Sequence, residues 1–202
     1  MIITIARQCG CGAKHVGEVL SRHYGLRLYT RRNLMEMAEQ KGMLTEMGDF
    51  FEEYPVDDLL NAISSFTEEH KEVRKRFCRL FNDMIGKENC IIIGRCGNHI
   101  FRQRRDLISV FLHGSTEQRI HNIATTEKLS LDAAEEYVNN IDDQRIAYHH
   151  YYTGLTWGNS SDYDISLDSC RLGAENSARI IEEYIKHTDI SPESTLVSPT
   201  DQ

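Results

Sequence analysis

Two short apolar runs constrain this chain more than anything else in it. Ile2-Ile3-Thr4-Ile5-Ala6 and Cys90-Ile91-Ile92-Ile93 are rich in β-branched residues and do not alternate apolar with polar. A strand with one wet face alternates, so each run reads as a strand buried on both faces. Gly10 and Gly12 break the chain after the first, and Gly94 closes the second. Leu107 to Leu112 forms a third such run, Leu26 to Tyr29 a short one, and Tyr163 to Leu167 a last. Between them the pattern is helical. Val16, Val19 and Leu20 precede a stop at Gly25, and residues 31 to 86 carry Leu34-Met35-Met37-Ala38, Leu59-Leu60-Ile63 and Val73-Phe77-Leu80-Phe81-Met84. Ser115 with Gln118 is a capping-box signature, and Ser130 with Asp132 opens a further helix. Ala174, Ala178, Ile181 and Ile185 share one face of a final helix. Apolar strands alternating with helices predict an α/β fold with a parallel sheet covered on both faces. Ligands of such sheets bind beyond the carboxyl ends of the strands, so the loops after Ala6, Ile93 and Leu112 carry the chemistry.

The 202 residues suit a single domain with an insertion, expected over 1–187, with 188–202 as a polar tail. Lys plus Arg number 23 and Asp plus Glu 31, a net charge of −8, which argues against a nucleic-acid polymer or an anionic membrane as partner. No stretch reaches the roughly 18 apolar residues of a membrane span, and Met1 to Ala6 has no basic head, so a cytoplasmic location is expected. The six cysteines contain no C-x-x-C pair, and no metal site is predicted from them.

Arg7 to His15 joins the first strand to the first helix. A glycine-rich loop there presents backbone N–H groups and a helix N-terminus to an anion. The phosphate cradle reads G-x-x-x-x-G-K-[ST]. With Gly12 as its second glycine, Arg7 replaces the first glycine, Ala13 the lysine and Lys14 the hydroxyl residue. Lys14 is one position late, and one helical residue turns a side chain by about 100°. Gly10, Cys11, Gly12, Ala13, Lys14 and His15 are the candidate phosphate-binding residues.

After Ile93, Gly94-Arg95-Cys96-Gly97 sets a guanidinium between two glycines at a strand end. Arginine suits phosphate because its planar fork donates two parallel hydrogen bonds. Arg102, Arg104 and Arg105 follow, and a solvated face accounts for the last two. Asp142-Asp143-Gln144-Arg145 lies in a helical pattern. Asp143 either orients Arg145 or binds magnesium through water, and the plainer alternative is a surface pair. Tyr148, Tyr151, Tyr152, Trp157 and Tyr163 crowd sixteen residues, where they either stack on a base or pack a helical segment shut. Cys9, Cys11 and Cys96 meet at one sheet edge if the first two apolar strands are neighbours, either as a redox-sensitive site or simply as small residues filling tight loops.

Taken in order, several segments resemble the cytidylate kinase-like family, relatives of bacterial cytidylate kinase within the P-loop nucleoside monophosphate kinases. They are Ile3 to Gly12, Ile92 to Gly97, Val110 to Ser115 with Arg119, Asp143-Gln144-Arg145, and Tyr163 to Asp168, spanning about residues 1 to 186. The resemblance implies a three-layer α/β/α P-loop NTPase-like core with a five-stranded parallel sheet. It also implies a helical monophosphate-binding insertion at about 30–70 and a helical lid at about 119–160. It implies an ATP-dependent phosphotransferase acting on a nucleoside monophosphate or similar acceptor, with Mg2+ and small-molecule nucleotides as partners, and it leaves homo-oligomerisation open. Arg95 with Arg31 and Arg32 would hold the acceptor, Arg145 and Arg119 would serve the lid, and Lys14, Arg145 and Asp143 would be catalytic. Cys96 stands where cytidylate kinase proper has a base-reading aspartate, and the cradle lacks its lysine. The alternative is a catalytically silent nucleotide-binding regulatory protein.

Overall fold

The structure is a computed structural model that describes residues 1–51 and 68–190. Five strands, β1 (Ile2–Arg7), β2 (Arg27–Tyr29), β3 (Cys90–Ile93), β4 (Leu107–His113) and β5 (Ile165–Asp168), form one parallel sheet in the order β2-β3-β1-β4-β5. The helices are α1 (Ala13–Tyr24), α2 (Arg31–Gln40), α3 (Leu44–Phe51), α4 (Glu68–Ile85), the short α5 (Gly97–Ile100), α6 (Thr116–Glu127), α7 (Leu131–Thr153) and α8 (Ser169–Lys186). The Leu59-Leu60-Ile63 pattern and the polar tail beyond Ile190 fall outside the described residues.

The strand period of two divides the core. Ile3 and Ile5 of β1, with Ile91, Ile108 and Val110 from its neighbours, pack on Val16 and Leu20 of α1 and Ala178 and Ile181 of α8. Ile2 and Ile92 face the other way, onto Phe50, Phe51, Phe77, Phe81 and Phe101. Both faces are thus covered, as wholly apolar strands require. Burying each such side chain contributes about 1.5–3 kcal/mol. A third cluster, Cys9 with Ile123, Ala134 and Val138, seats the α6–α7 hairpin on the loop after β1.

Local signals act where their chemistry places them. Gly25 ends α1 with φ +65°, a left-handed cap that favours glycine. Ser115 accepts from the Gln118 N–H at 3.3 Å, and Ser130 accepts from Ala133. The last strand begins at Ile165, two residues later than the apolar pattern suggests. Asp164 is drawn to the sheet edge by its side chain, which accepts from both the N–H and the hydroxyl of Ser109 at 2.7 Å. Tyr163 belongs to the turn before it. The aromatic run is mostly core: Tyr148 packs tilted against Phe50, Tyr152 meets Phe50 and Phe77 edge-on, and Trp157 meets Phe111 edge-on. Among the described residues no helix is long and apolar enough to cross a membrane.

Candidate active site

Because β1 and β3 are adjacent and parallel, the loops that follow them emerge at one sheet edge. In the first loop, Gln8 ties the chain to the end of β4: its N–H donates to Leu112 O and its Oε1 accepts from Gly114. Gly10 follows with φ +83°. A Cβ there would lie 2.6 Å from the Arg119 carbonyl oxygen, so both conformation and space require glycine. Asn122 donates to Gly10 O at 2.9 Å, and the Ser169 hydroxyl to Cys11 O at 2.8 Å. The loop carbonyls are therefore bound from behind. Gly12 (φ +64°) caps α1 without a side-chain hydrogen bond, and the first turn of α1 has no acidic residue. That end of α1 suits an anion.

Ala13 is buried, whereas Lys14 lies on the outer face of α1 with its side chain 70% exposed, 3.8 Å from Glu18. His15 is exposed as well. The one-residue displacement of the lysine thus has the consequence its helical angle predicts: Lys14 faces away from the loop.

The second loop turns through three consecutive left-handed residues, Gly94 (φ +78°), Arg95 (φ +56°) and Cys96 (φ +53°). The conformation is costly for the two non-glycine residues, by about 1–2 kcal/mol each. A Cβ on Gly94 would collide with the Arg7 guanidinium, so the glycine lets Arg7 lie across the turn. Arg95 stacks over Tyr148, 4.9 Å from the ring centre, and donates to Phe50 O at 3.0 Å. Tyr148 donates to the same oxygen at 2.7 Å, and Arg31 Nε donates to Phe51 O at 2.5 Å. Arg31 and Arg95 therefore converge on the carbonyl end of α3, where the helix dipole is negative. Arg32 does not join them; it is 88% exposed beside Glu36.

From the other side come α6 and α7. Asp142 accepts from the Cys9 N–H at 2.7 Å and from Arg119 Nη1 at 2.6 Å, with Arg145 Nη1 at 3.6 Å. Arg145 also donates to Arg7 O at 3.2 Å. Asp143 is exposed. The residue that orients the arginines here is Asp142, and a sequence signal marks it: Asp142 and Arg145 are three apart and share a helix face, whereas Asp143 and Arg145 do not.

A cavity of about 40 Å³ lies between the two loops, bordered by Thr4, Arg7, Arg95, Arg145, Tyr148 and His149. Thr4 Oγ1 and His149 Nε2 are buried in its wall without hydrogen-bond partners. Burial, with His99 and His150 adding to it against the opposing pull of Asp162, lowers the His149 pKa to about 4, so the imidazole is neutral at pH 7. His150 next to it is exposed, and the two rings point apart. A groove of about 840 Å³ lies elsewhere, between α4 and the 99–104 segment. It touches neither loop, and its size does not make it the site. Thr4 and Arg7 lie on β1 and His149 on α7, and it is the seating of α7 against the end of β1 that brings them to one cavity.

A phosphate-type loop and a second, arginine-bearing loop at the carboxyl edge of a β2-β3-β1-β4-β5 sheet define a three-layer P-loop kinase fold. The chain matches the cytidylate kinase-like family over residues 2–171 and belongs to it. It is 24% identical to the cytidylate kinase of Sulfurisphaera tokodaii over 187 residues, 92% of this chain and 95% of that one. With the cytidylate kinase of Methanosarcina mazei it shares 27% over 175 residues, 84% and 87% of the two chains. Among solved structures it resembles an uncharacterized protein from Eubacterium ventriosum, with TM-score 0.72, 22% identity, and 93% and 99% coverage. Shikimate kinase from Acinetobacter baumannii in complex with shikimate shares the fold with TM-score 0.51, 13% identity, and 94% and 95% coverage.

Proposed function

We propose that this protein is an ATP-dependent phosphotransferase that moves a phosphoryl group to a nucleoside monophosphate or a similar small phosphorylated acceptor. One observation carries the reading: Arg7, Arg95 and Arg145 border one cavity beside a glycine-rich loop that opens a helix. Three guanidinium groups gathered in a chain of net charge −8 suit a highly anionic ligand. The cytidylate kinases among its relatives support the same reaction class.

Backbone N–H groups from Gly10 to His15 hold the donor phosphates. Arg95 and Arg31 take the acceptor phosphate once they leave the carbonyl end of α3. Arg145 and Arg119, presented by α6 and α7, act as the lid (about residues 119–160), with Asp142 setting their direction. Residues of about 30–70 form the acceptor-binding segment. Transfer forms a bond from an acceptor oxygen to the γ-phosphorus and breaks the bond to the ADP oxygen, and the protein supplies positioning and charge neutralisation. Lid closure keeps water from competing as acceptor. Magnesium is held mainly by substrate phosphates and needs at most one or two protein carboxylates. It would come with the nucleotide.

The test is incubation with ATP, magnesium and a panel of nucleoside monophosphates, followed by chromatography. Nucleoside diphosphate above the no-enzyme control, lost in Arg145→Ala, is the expected result. No diphosphate from any acceptor, with nucleotide still protecting the protein against heat, contradicts it in favour of binding without turnover.

A further inference from the structure

Two thiols touch outside the arginine cluster. Cys11 Sγ and Cys170 Sγ are 3.8 Å apart, brought together from opposite ends of the chain. Cys11 sits in the phosphate-type loop between Gly10 and Gly12, and Cys170 is the second residue of α8. The contact is built on several sides. Ser169 binds Cys11 O, Cys170 Sγ lies 3.7 Å from both Gly10 O and Asn122 Nδ2, and a Cβ on Gly114 would collide with the Cys170 side chain. Cys170 is the more accessible residue of the two, half-buried where Cys11 is 4% exposed. Cys9 and Cys96 share this sheet edge but pack in two other apolar clusters, so neither is the partner of Cys11.

We propose that Cys11 and Cys170 form an oxidisable pair that a hydroperoxide converts to a disulfide, cross-linking the phosphate-type loop to the start of α8. The Cys170 sulfur attacks a peroxide oxygen; the S–O bond forms, the O–O bond breaks, and the departing oxygen leaves as water with the thiol proton. The Cys11 sulfur then attacks Cys170; the S–S bond forms, the S–O bond breaks, and a second water carries off the Cys11 proton. Two thiols and one hydrogen peroxide thus give one disulfide and two waters. Burial raises the pKa of both thiols, so the reaction speeds up as pH rises.

A disulfide needs the sulfurs about 2.05 Å apart, so they must close by roughly 1.8 Å. Cys170 lies in the first turn of α8, ahead of a break at Gly173 (φ +76°, ψ 169°) that separates it from the stretch anchored in the core by Ala178 and Ile181. Cys11 is flanked by two glycines with φ of +83° and +64°. Glycines thus flank both sides of the contact, and the closure is shared between the loop and the first turn of α8; the loop's part of it shifts the anion-binding N–H groups. This consequence, and only this one, rests on the function proposed above.

The test treats the full chain with hydrogen peroxide, blocks remaining thiols by alkylation, and digests it without reductant for mass spectrometry. ATP affinity is measured by calorimetry before oxidation, after it, and after dithiothreitol. The expected result is a linked Cys11–Cys170 peptide, absent from Cys170→Ser, and ATP binding weakened about tenfold and restored by reductant, the scale of one charged hydrogen bond. Both cysteines recovered alkylated or over-oxidised without a link, or Cys11 joined to another cysteine, overturns the pair. A linked peptide with unchanged ATP affinity overturns the coupling to the loop. ATP binding absent before oxidation overturns the proposed function instead, and the linked peptide still decides the pair.

Discussion

Asp142 and Asp143 differ only in where the helix turns them, and the consequences diverge. Asp142 is 13% exposed at its side chain and faces Arg119, which is 7% exposed. Removing one partner of a buried pair leaves the other charge uncompensated, which costs about 3–5 kcal/mol. Asp142→Ala should lose stability on that scale in urea denaturation, while Asp143→Ala should change it by no more than about 0.5 kcal/mol. Equal losses from both would remove Asp142 from its place between the arginines. The sequence marked Arg95 because an arginine between glycines at a strand end is a visible signal, whereas Arg119, and the lid role of Arg145, came only with the family resemblance. The sequence placed Arg7 only as the stand-in for the cradle's first glycine and gave Thr4 and His149 no role, because their importance comes from neighbours distant in the chain. His149 makes a separate prediction. A folded pKa near 4 against about 6.5 unfolded means that the unfolded chain takes up a proton first as pH falls. Its contribution is therefore full above about pH 6.5 and lost as pH falls toward 4. His149→Gln should flatten the stability difference between pH 7 and pH 5 by about 1–2 kcal/mol relative to the unaltered protein. An identical pH profile would show that the imidazole is not buried neutral.

At the scale of elements, α3 does two jobs. Phe50 is fully buried, its ring 5.1 Å from those of Phe81 and Tyr152, while its carbonyl takes Arg95 and Tyr148. Phe50→Ala should destabilise the fold by about 3–5 kcal/mol, read as a lower denaturation midpoint at unchanged slope. A loss under about 1 kcal/mol would mean the ring cluster collapses to fill the space. The strands were legible from the sequence because a strand covered on both faces must be apolar throughout. The start of β5 was not, because Asp164 joins the sheet edge through its side chain. Neither α3 nor the use of its carbonyl end was legible: the helical patterns read between residues 31 and 86 skip Leu44–Phe51, an acidic stretch that Gly42 and Gly48 make turn-prone, and a backbone oxygen leaves no trace in residue type.

For the whole molecule, the parallel order β2-β3-β1-β4-β5 matters more than any single loop. It sets the ends of β1 and β3 side by side and lets the α6–α7 hairpin reach both from one flank. Acceptor binding and transfer are thereby divided between a strand-end arginine and a helix-borne one. The most direct measurement titrates a responsive nucleoside monophosphate at saturating ATP with the unaltered protein, Arg95→Ala and Arg145→Ala. The expected result is a split: Arg95→Ala raises the acceptor KM by about tenfold or more, and Arg145→Ala lowers kcat with a smaller change in KM. Wild-type kcat and KM in both variants would contradict a phosphoryl-transfer site at this edge of the sheet.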